Sequence, residues 1–416
     1  MSIQGIIKMM KVINTAYKFK LMPSIHQEEK FSSWAGTCRF LYNLGLEHRI
    51  LSWNQYRKSY NYYDQANELK NLKKCEGFEW IKDSPAQILQ QSLKDLDKAF
   101  KSFWRSGFGF PRYKKKGFGD SFRFPDAKQF SVRRVTKRKA FVKLPKIGEV
   151  AFRISQEIEG KIKNATIKKE TDGWYISFCC EKEIVIPNNN MPAVGVDRGI
   201  SETLVLSCNA DKIKGIQLNL PDQCKKLRER IKVLQRRLRL KKKFSQNWKK
   251  LQQKIRKLHS KIARIRHDFL HKASSYIAKN HSYISLEDLK IKNMSKSAKG
   301  TIEKKGKNVK AKSGLNREIL FQGWGIFANQ LKYKSEWNGG HLELISPKYT
   351  STRCSVCLYN DKKNRKKKHF KCLNCGHTED ADKNASRNID RVGRTQRDCG
   401  GVVIGQSVEA VTSSFA

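Results

Sequence analysis

The chain has 416 residues, of which 86 are Lys or Arg and 38 are Asp or Glu, so its formal net charge is +48 and its pI is about 10.0. A surface this basic attracts phosphate backbones, which makes nucleic acid the first partner to expect; an anionic membrane would also attract this charge. No apolar run approaches the 18 or so residues of a membrane-spanning helix, and the N-terminus lacks a secretory signal, so we expect a cytoplasmic, nucleoid-associated protein with no membrane partner.

The length favours two to four domains, and the first half predicts strands interrupted by helices. Period-two alternation over residues 11–22 predicts a strand. Ser84 and Pro85 are typical of a helix start, and residues 24–105 read as an all-helical module. Short alternating segments return between residues 122 and 183 and predict a compact antiparallel barrel, to which the first strand would belong. The core-facing positions predicted for the first helix are Phe31, Trp34, Cys38 and Leu41.

The second half predicts a mixed α and β domain. Residues 193–208 indicate two strands, 282–286 and 341–345 one strand each, and 315–337 a helix, while 400–416 has the composition of a flexible tail. Residues 225–266 predict a coiled-coil-like helical hairpin, because apolar residues recur there at steps of three and four. That stretch contains 19 Lys or Arg and one acid, Glu229. We therefore expect nucleic acid along it.

Four of the 11 cysteines form a tight array near the C-terminus. An odd total without repeating spacing argues against a disulfide framework. Two Cys-x-x-Cys pairs separated by 14 residues have the spacing of a zinc ribbon, and four thiolates leave no open position, so the predicted Zn²⁺ is structural. His369 and His377 lie close enough in sequence to replace a cysteine. The predicted ligands are Cys354, Cys357, Cys372 and Cys375.

Three acidic residues in separate segments predict a catalytic site. Asp197 and Glu287 each end an apolar strand, and Asp382 follows the last cysteine pair at the start of a predicted helix. Together they can hold two Mg²⁺ or Mn²⁺ ions roughly 4 Å apart, which is the arrangement of metal-dependent nucleases. Taken singly, each has a plain alternative as a turn residue, a surface acid or an N-cap. Asp288 and Asp380 remain substitute ligands.

The assembled motifs resemble TnpB, the RNA-guided nuclease of bacterial and archaeal insertion sequences, also called OrfB. The resemblance covers residues 11 to 395 and departs from the usual pattern at Ser386, where a second alanine is typical. Its motifs are Arg39-Phe-Leu-Tyr-Asn43, Phe110-Pro-Arg-Tyr-Lys114, Gly195-Val-Asp-Arg-Gly199, Ile284-Ser-Leu-Glu-Asp-Leu289, Tyr349-Thr-Ser-Thr-Arg-Cys354, Cys372-Leu-Asn-Cys-Gly376 and Asp382-Lys-Asn-Ala-Ser-Arg-Asn-Ile389.

The resemblance implies an α+β multidomain chain with a RuvC-like nuclease domain of the RNase H fold, a zinc ribbon and a wedge β-barrel with an inserted helical recognition module. It further implies Asp197, Glu287 and Asp382 as the metal-binding catalytic residues, a guide RNA from the transposon end, a double-stranded DNA target and a monomer on one RNA. The expected ranges are the wedge barrel, 1–22 and 116–190; the helical module, 23–115; the RuvC-like domain, 191–350 and 380–397, with the basic hairpin at 225–266; the zinc ribbon, 351–379; and the tail, 398–416.

The leading hypothesis is thus an RNA-guided DNA endonuclease that cuts beside a short flanking motif and leaves 5′-phosphate and 3′-hydroxyl ends. Three alternatives stay open. Compact type V CRISPR effectors share the same plan, a DNA transposase would use the same metals for strand transfer, and a guided repressor would bind DNA without cutting. All three acids are present, whereas a repressor is expected to have lost one. The guide sequence, the flanking motif and the base-reading residues do not follow from the sequence.

Overall fold

The computed structural model describes residues 10–106, 108–208 and 218–399. The chain divides into two compact units, one from Lys11 to Ile184 and one containing the residues from Val185 onward. No helix of the described ranges is long and apolar enough to cross a bilayer. The tail predicted from residue 400 and the first nine residues lie outside the described part.

The first unit combines a seven-stranded sheet with three helices. Its strand order is β2-β6-β7-β1-β5-β4-β3, so the first strand of the chain lies in the middle of the sheet and the helices follow it as an insertion. The elements, in chain order, are β1 (Met10–Met22), α1 (Ile25–Tyr56), α2 (Tyr62–Leu72), α3 (Ala86–Ser106), β2 (Ser121–Phe124), β3 (Ser131–Arg134), β4 (Lys139–Leu144), β5 (Gly148–Arg153), β6 (Lys161–Glu170) and β7 (Gly173–Val185).

Aromatic side chains join α1 to this sheet. The helix begins at a capping box, in which the Ser24 side chain accepts from the backbone N–H of Gln27 and the Gln27 side chain accepts from the backbone N–H of Ser24. Phe31 packs 5.3 Å from the ring of Trp174, and its neighbour Trp34 packs edge-on at 5.6 Å from Phe122. The predicted buried face of α1 is therefore correct, and the helices and sheet share one core.

The second unit is built on a four-stranded sheet with the order β11-β10-β8-β9. Strands β11, β10 and β8 are parallel, and β9 is an antiparallel edge. The elements are β8 (Val194–Asp197), β9 (Val205–Leu206), α4 (Asp222–Arg239), α5 (Gln246–Asn280), β10 (Tyr283–Glu287), α6 (Ile291–Met294), α7 (Val309–Gln322), α8 (Trp324–Trp337), β11 (His341–Ile345), β12 (Arg365–Lys366), β13 (His369–Lys371), β14 (Thr378–Asp380) and α9 (Ala381–Cys399).

Helices α4 and α5 form the predicted hairpin. Its seam buries Leu227 and Ile231 of α4 against Ile255 and Ile262 of α5. Most Lys and Arg residues of the two helices are exposed, whereas Arg228 and Arg266 are half-buried, and Arg228 pairs with Glu318. The turn ends at Ser245, whose side chain accepts a hydrogen bond from the backbone N–H of Trp248 and caps α5.

The single helix predicted over residues 315–337 is wrong, because the structure has two helices there, α7 and α8. The break falls at Gly323, whose φ of +76° lies in the left-handed region that glycine adopts without strain. A Cβ atom at this position would lie 2.9 Å from the Leu270 side chain. After the break, Phe327 and Leu331 of α8 join the core of the four-stranded sheet.

Candidate active site and metal centre

Asp197 and Glu287 lie at the same edge of the four-stranded sheet. Strands β8 and β10 are parallel and pair Val196 with Leu286, so the two acids follow at the next position of neighbouring strands. The preceding strand residues are fully buried, whereas both acids are half-buried. Buried parallel strands read as continuous apolar runs, and polar groups first appear where such strands end. The two carboxylates therefore share the carboxyl edge of the sheet.

Helix α9 brings Asp382 to this edge. It packs directly on β8 at Gly195, where a Cβ atom would lie 2.2 Å from the carbonyl oxygen of Ser386 and 2.4 Å from the backbone nitrogen of Asp390. The side chain of Asp380 caps the helix by accepting from the backbone N–H groups of Asp382 and Lys383, at 2.9 and 3.1 Å. Because Asp380 serves as the cap, the carboxylate of Asp382 is available to the site.

The charges of these acids act on one another. The pKa of Asp197 is raised to about 7, first by burial and then by the negative charges of Glu287 and Asp382, while Arg365 opposes the rise. Carboxylates that share a poorly hydrated site repel, so the charged forms need a cation. This environment is what a divalent metal would relieve.

Two arginines and a threonine hold the acids in place. Arg365 of β12 donates to Asp382 Oδ1 at 2.8 Å. Arg198 is buried beside Asp197 and donates to the backbone carbonyl of Glu287, and burial lowers the pKa of its guanidinium to about 10. The hydroxyl of Thr350 donates to Glu287 Oε1 at 2.6 Å. Sequence reasoning missed the roles of Arg198 and Thr350, although Arg198 directly follows a singled-out acid.

Asp288 follows Glu287 in the chain, and its negative charge acts on the Arg198 guanidinium together with those of Glu287 and Asp197. Its carboxylate is exposed and pairs with Lys290, and its backbone N–H donates to the carbonyl of Ile345 at 2.8 Å. Asp288 therefore offers a matched control for the acids of the site.

The four cysteines form a compact sulfur cluster. Cys354 Sγ lies 3.7 Å from Cys375 Sγ, and Cys357 Sγ lies 3.5 Å from Cys372 Sγ. A tetrahedral Zn²⁺ with Zn–S bonds of about 2.3 Å separates its sulfur ligands by about 3.8 Å, so the cluster fits that ion. The backbone N–H of Tyr359 is the main cause that lowers the pKa of Cys357 to about 6, which favours the thiolate.

The two nearby histidines stay outside the cluster. His377 faces Glu379 at 3.6 Å, and His369 is exposed on β13, where it pairs with Asp380 across the strands. Over residues 10–106, 108–208 and 218–399, the four cysteines are the set of ligand-type side chains whose donor atoms all lie within 4.8 Å of one another. The carboxylate oxygens of Asp197, Glu287 and Asp382 are therefore not all within that distance of one another.

Buried asparagines of α9 attach the cysteine segment to the acids. Asn384 donates to the carbonyl of Arg353 at 2.8 Å and accepts from the N–H of Ser355 at 2.9 Å. One turn later, Asn388 donates to the carbonyls of Thr350 and Arg353. Asparagine is a poor helix former, so two of them inside a helix signal a tertiary role. The cysteine cluster, Thr350 and Asp382 are thereby fixed to one helix.

Comparison with protein families gives three matches along the chain. A family of insertion sequence IS605 OrfB proteins, described as "Probable transposase", matches residues 177–298. A Cas12f1-like TNB domain matches residues 324–389, which include the cysteine cluster. A family described as a helix-turn-helix domain matches residues 9–58. In this chain the segment matched by the helix-turn-helix family folds as β1 followed by one uninterrupted helix, α1.

Relatives match over nearly the full length. InsQ of Escherichia coli K12, named as an RNA-guided DNA endonuclease, is 41% identical over 390 residues, which are 93% of this chain and 94% of that protein. A protein of Streptomyces pristinaespiralis with the same kind of name is 28% identical over 398 residues, 94% of this chain and 92% of that one.

Among solved structures, a Cas12f1 complex with guide RNA and target DNA aligns with a TM-score of 0.55 at 14% identity, covering 91% of this chain and 99% of that chain, which is a likeness of fold. The α+β architecture is therefore shared with that effector. This chain is 41% identical to InsQ across almost the whole of both proteins, and the OrfB family matches residues 177–298 in its middle. It therefore belongs to the TnpB (OrfB) family of the IS605 insertion sequences.

Proposed function

We propose that the chain is an RNA-guided, metal-dependent DNA endonuclease of a transposable element, which cuts target DNA next to a short flanking motif. The observation that carries this proposal is the environment of Asp197. Its pKa is raised to about 7 by burial and by Glu287 and Asp382, although the chain has a net charge of +48. Acids that repel one another in so basic a protein indicate a cation site. The names of the relatives support the same activity.

We assign the domains within this proposal as the resemblance implies. The mixed sheet with acids at its carboxyl edge supports a RuvC-like domain of the RNase H fold, and the central place of β1 in the seven-stranded sheet supports a barrel with an inserted helical module. The proposed ranges are the wedge barrel, 1–22 and 116–190; the recognition module, 23–115; the RuvC-like domain, 191–350 and 380–397; and the zinc ribbon, 351–379.

Asp197, Glu287 and Asp382 would hold two Mg²⁺ or Mn²⁺ ions. When bound, such ions clamp a scissile phosphate, activate water and stabilise the leaving oxygen. The chain's own groups prepare the pocket. The Thr350 hydroxyl orients Glu287, and Arg365 offsets the charge of Asp382. Hydrolysis would leave 5′-phosphate and 3′-hydroxyl ends.

The cysteine cluster would hold a structural Zn²⁺, with Cys354, Cys357, Cys372 and Cys375 as ligands. Four thiolates close the coordination shell, so this ion would take no part in the chemistry. Its role in the proposal is mechanical, because the same ribbon carries Arg365, which contacts Asp382 at 2.8 Å.

The hairpin of α4 and α5 is the proposed track for nucleic acid. Its seam is apolar and its outer surface is almost purely cationic, with 19 Lys or Arg and one acid over residues 225–266. Such a surface repels itself unless phosphates neutralise it. We propose one protein molecule on one guide RNA from the transposon end, paired with double-stranded target DNA.

A DNA-cleavage assay of the Asp197→Ala variant tests the catalytic assignment. We expect this variant to retain copurified RNA and target DNA binding but to stop cutting, because the proposed metal pocket loses one of its three carboxylate ligands. Asp288→Asn is the control, and it should cut at the wild-type rate because its carboxylate is exposed and pairs with Lys290. Full cleavage by Asp197→Ala would overturn the proposal.

Sequencing of the copurified nucleic acid separates the alternatives. RNA of one defined sequence supports the guided nuclease, and its absence together with strand transfer by the purified protein supports a transposase. A guided repressor would bind the target and leave it uncut in the presence of Mg²⁺. The compact type V CRISPR effector differs in the source of its RNA, which the same sequences reveal.

A further inference from the structure

A cavity of about 390 Å³ in the helical part of the first unit is not used by the proposed nuclease chemistry. It lies between the C-terminal ends of α1 and α3, and this volume is in the range of small-molecule sites. Its lining is mainly aromatic rings, and one lysine, the buried Arg49 and polar side chains complete it. The residues on which the inference rests are Trp53, Lys58, Tyr60, Phe103, Trp104 and Phe110.

Three of these rings are unusually exposed. Trp53 is 52% exposed, Trp104 63% and Phe110 47%. Single exposed apolar residues are common, but three large rings around one cavity mark a binding site. Phe103 and Phe110 meet edge-on with centroids 5.5 Å apart, so the wall has a defined shape.

The position of Phe110 is fixed by two motifs that the nuclease assignment leaves without a role. The Asn43 side chain donates to the carbonyl of Lys114 and accepts from its N–H, at 3.0 and 2.8 Å. Arg39, one turn earlier on α1, pairs with Asp120 at 2.8 Å. The segment that begins at Phe110 is thus fastened along α1, and Phe110 is held against the aromatic wall.

The charge around the mouth suits a phosphate backbone. Lys58 Nζ lies 5.0 Å from the ring centroid of Tyr60, and the Arg57 guanidinium lies 5.9 Å from that of Trp53. Residues 98–119 contain seven Lys or Arg and no acid. The acid just before them, Asp97, pairs with Arg49 and Lys101. Cations and exposed rings together are typical of sites where single-stranded bases stack.

We propose that this cavity binds one unpaired base of an RNA strand, stacked on Trp53 or Trp104, with the flanking phosphates near Lys58. RNA is favoured over DNA because structured RNA displays splayed bases in loops and bulges, whereas duplex DNA must first be unpaired at a cost. Asn54 and Ser59 at the same cavity supply polar groups for a base edge or a 2′-hydroxyl. The presence of RNA rests on the proposed function.

The test compares two short RNAs that carry the same charge. The full chain is titrated with a nine-nucleotide oligouridine and with the same strand lacking its central base, at 0.3 M salt. Phosphate contacts are equal in the two, so the ratio of dissociation constants reports the base alone. Stacking of one base on an aromatic side chain predicts a ratio of about 5- to 150-fold.

Trp104→Ala should reduce this ratio to about one, and Trp104→Phe should keep most of it. Trp80→Ala is the matched control, since Trp80 is 41% exposed in the same unit and lies outside the cavity. Trp53→Ala provides a second variant, and thermal unfolding verifies that each variant folds. An unchanged ratio in both alanine variants would overturn the proposal.

A DNA strand of the same length forms the second arm. The ratio for DNA with and without its central base should be smaller than that for RNA, and an equal or larger ratio would overturn the assignment to RNA. The measurement involves no cleavage. The Asp197→Ala variant should therefore give the wild-type ratio, so failure of the nuclease assignment and failure of this inference are distinguishable.

Discussion

Replacing Asp197 with asparagine should stabilise the metal-free protein, and more so at high pH. The pKa of Asp197 is raised from 3.8 to about 7, so the folded state binds a proton more tightly than the unfolded state. The stability that this carboxyl supports is greatest below about pH 4 and is lost progressively as the pH rises to about 7. Asparagine carries no charge at any pH and avoids this loss.

The size of the effect follows from the two pKa values. Relative to the unfolded state, the raised pKa of Asp197 destabilises the folded state by about 2 kcal/mol at pH 5.5, where the folded carboxyl is protonated, and by about 4 kcal/mol at pH 8, where it is ionised. The gain from Asp197→Asn should therefore be about 2 kcal/mol larger at pH 8 than at pH 5.5. For a domain of 150–250 residues this corresponds to a difference of about 4–8 °C in the change of Tm. Any change in packing energy caused by the asparagine amide is the same at both pH values, so it cancels in the difference between the two gains.

Thermal unfolding of wild type, Asp197→Asn and Asp288→Asn at both pH values, in buffer without divalent ions, measures the effect. Asp288→Asn is the matched variant, which removes an exposed carboxylate that pairs with Lys290. Adding Mg²⁺ should stabilise wild type more at pH 8 than at pH 5.5, since the ligand must lose its proton, and should barely affect Asp197→Asn. An equal gain at both pH values would refute the reasoning, because the pKa of Asp197 would then not be raised in the folded state.

Three further predictions concern the ribbon, the helix contact and the hairpin. Purified protein should contain one Zn²⁺ per chain by elemental analysis, and Cys357→Ser should lose it while Cys179→Ser, outside the cluster, keeps it. Gly195→Ala should destabilise the second unit by about 3 kcal/mol in urea unfolding, because its Cβ would meet the Ser386 carbonyl at 2.2 Å, whereas Gly36→Ala, with its nearest atom at 3.7 Å, should cost nothing. Changing four exposed lysines of α5, namely Lys249, Lys250, Lys254 and Lys257, to glutamine should lower the slope of log K for RNA against log salt by about 3, and an unchanged slope would exclude RNA from this face.

The sequence predicted the features that depend on local pattern. Period-two alternation identified β1, and the helical spacing of Phe31 and Trp34 identified the buried face of α1, because each element must bury one face. The spacing of the four cysteines predicted the sulfur cluster, because each Cys-x-x-Cys pair forms a short knuckle and two such knuckles are enough to bring four sulfurs together. The apolar seam of the α4–α5 hairpin was predicted from apolar residues that recur every three or four positions.

Features set by distant contacts required the tertiary structure. Asp380 and Asp382 are equally good caps by sequence, and the hydrogen bonds to Asp380 decide that Asp382 faces the site. The break at Gly323 depends on a left-handed backbone that helical periodicity does not reveal.

Likewise, Arg198 and Thr350 contact Glu287 from positions 89 and 63 residues away in the chain. A sequence determines which residues alternate along an element, because that pattern arises within a few residues. Only the folded chain determines which distant residues share a pocket, because their approach depends on how whole helices and strands pack.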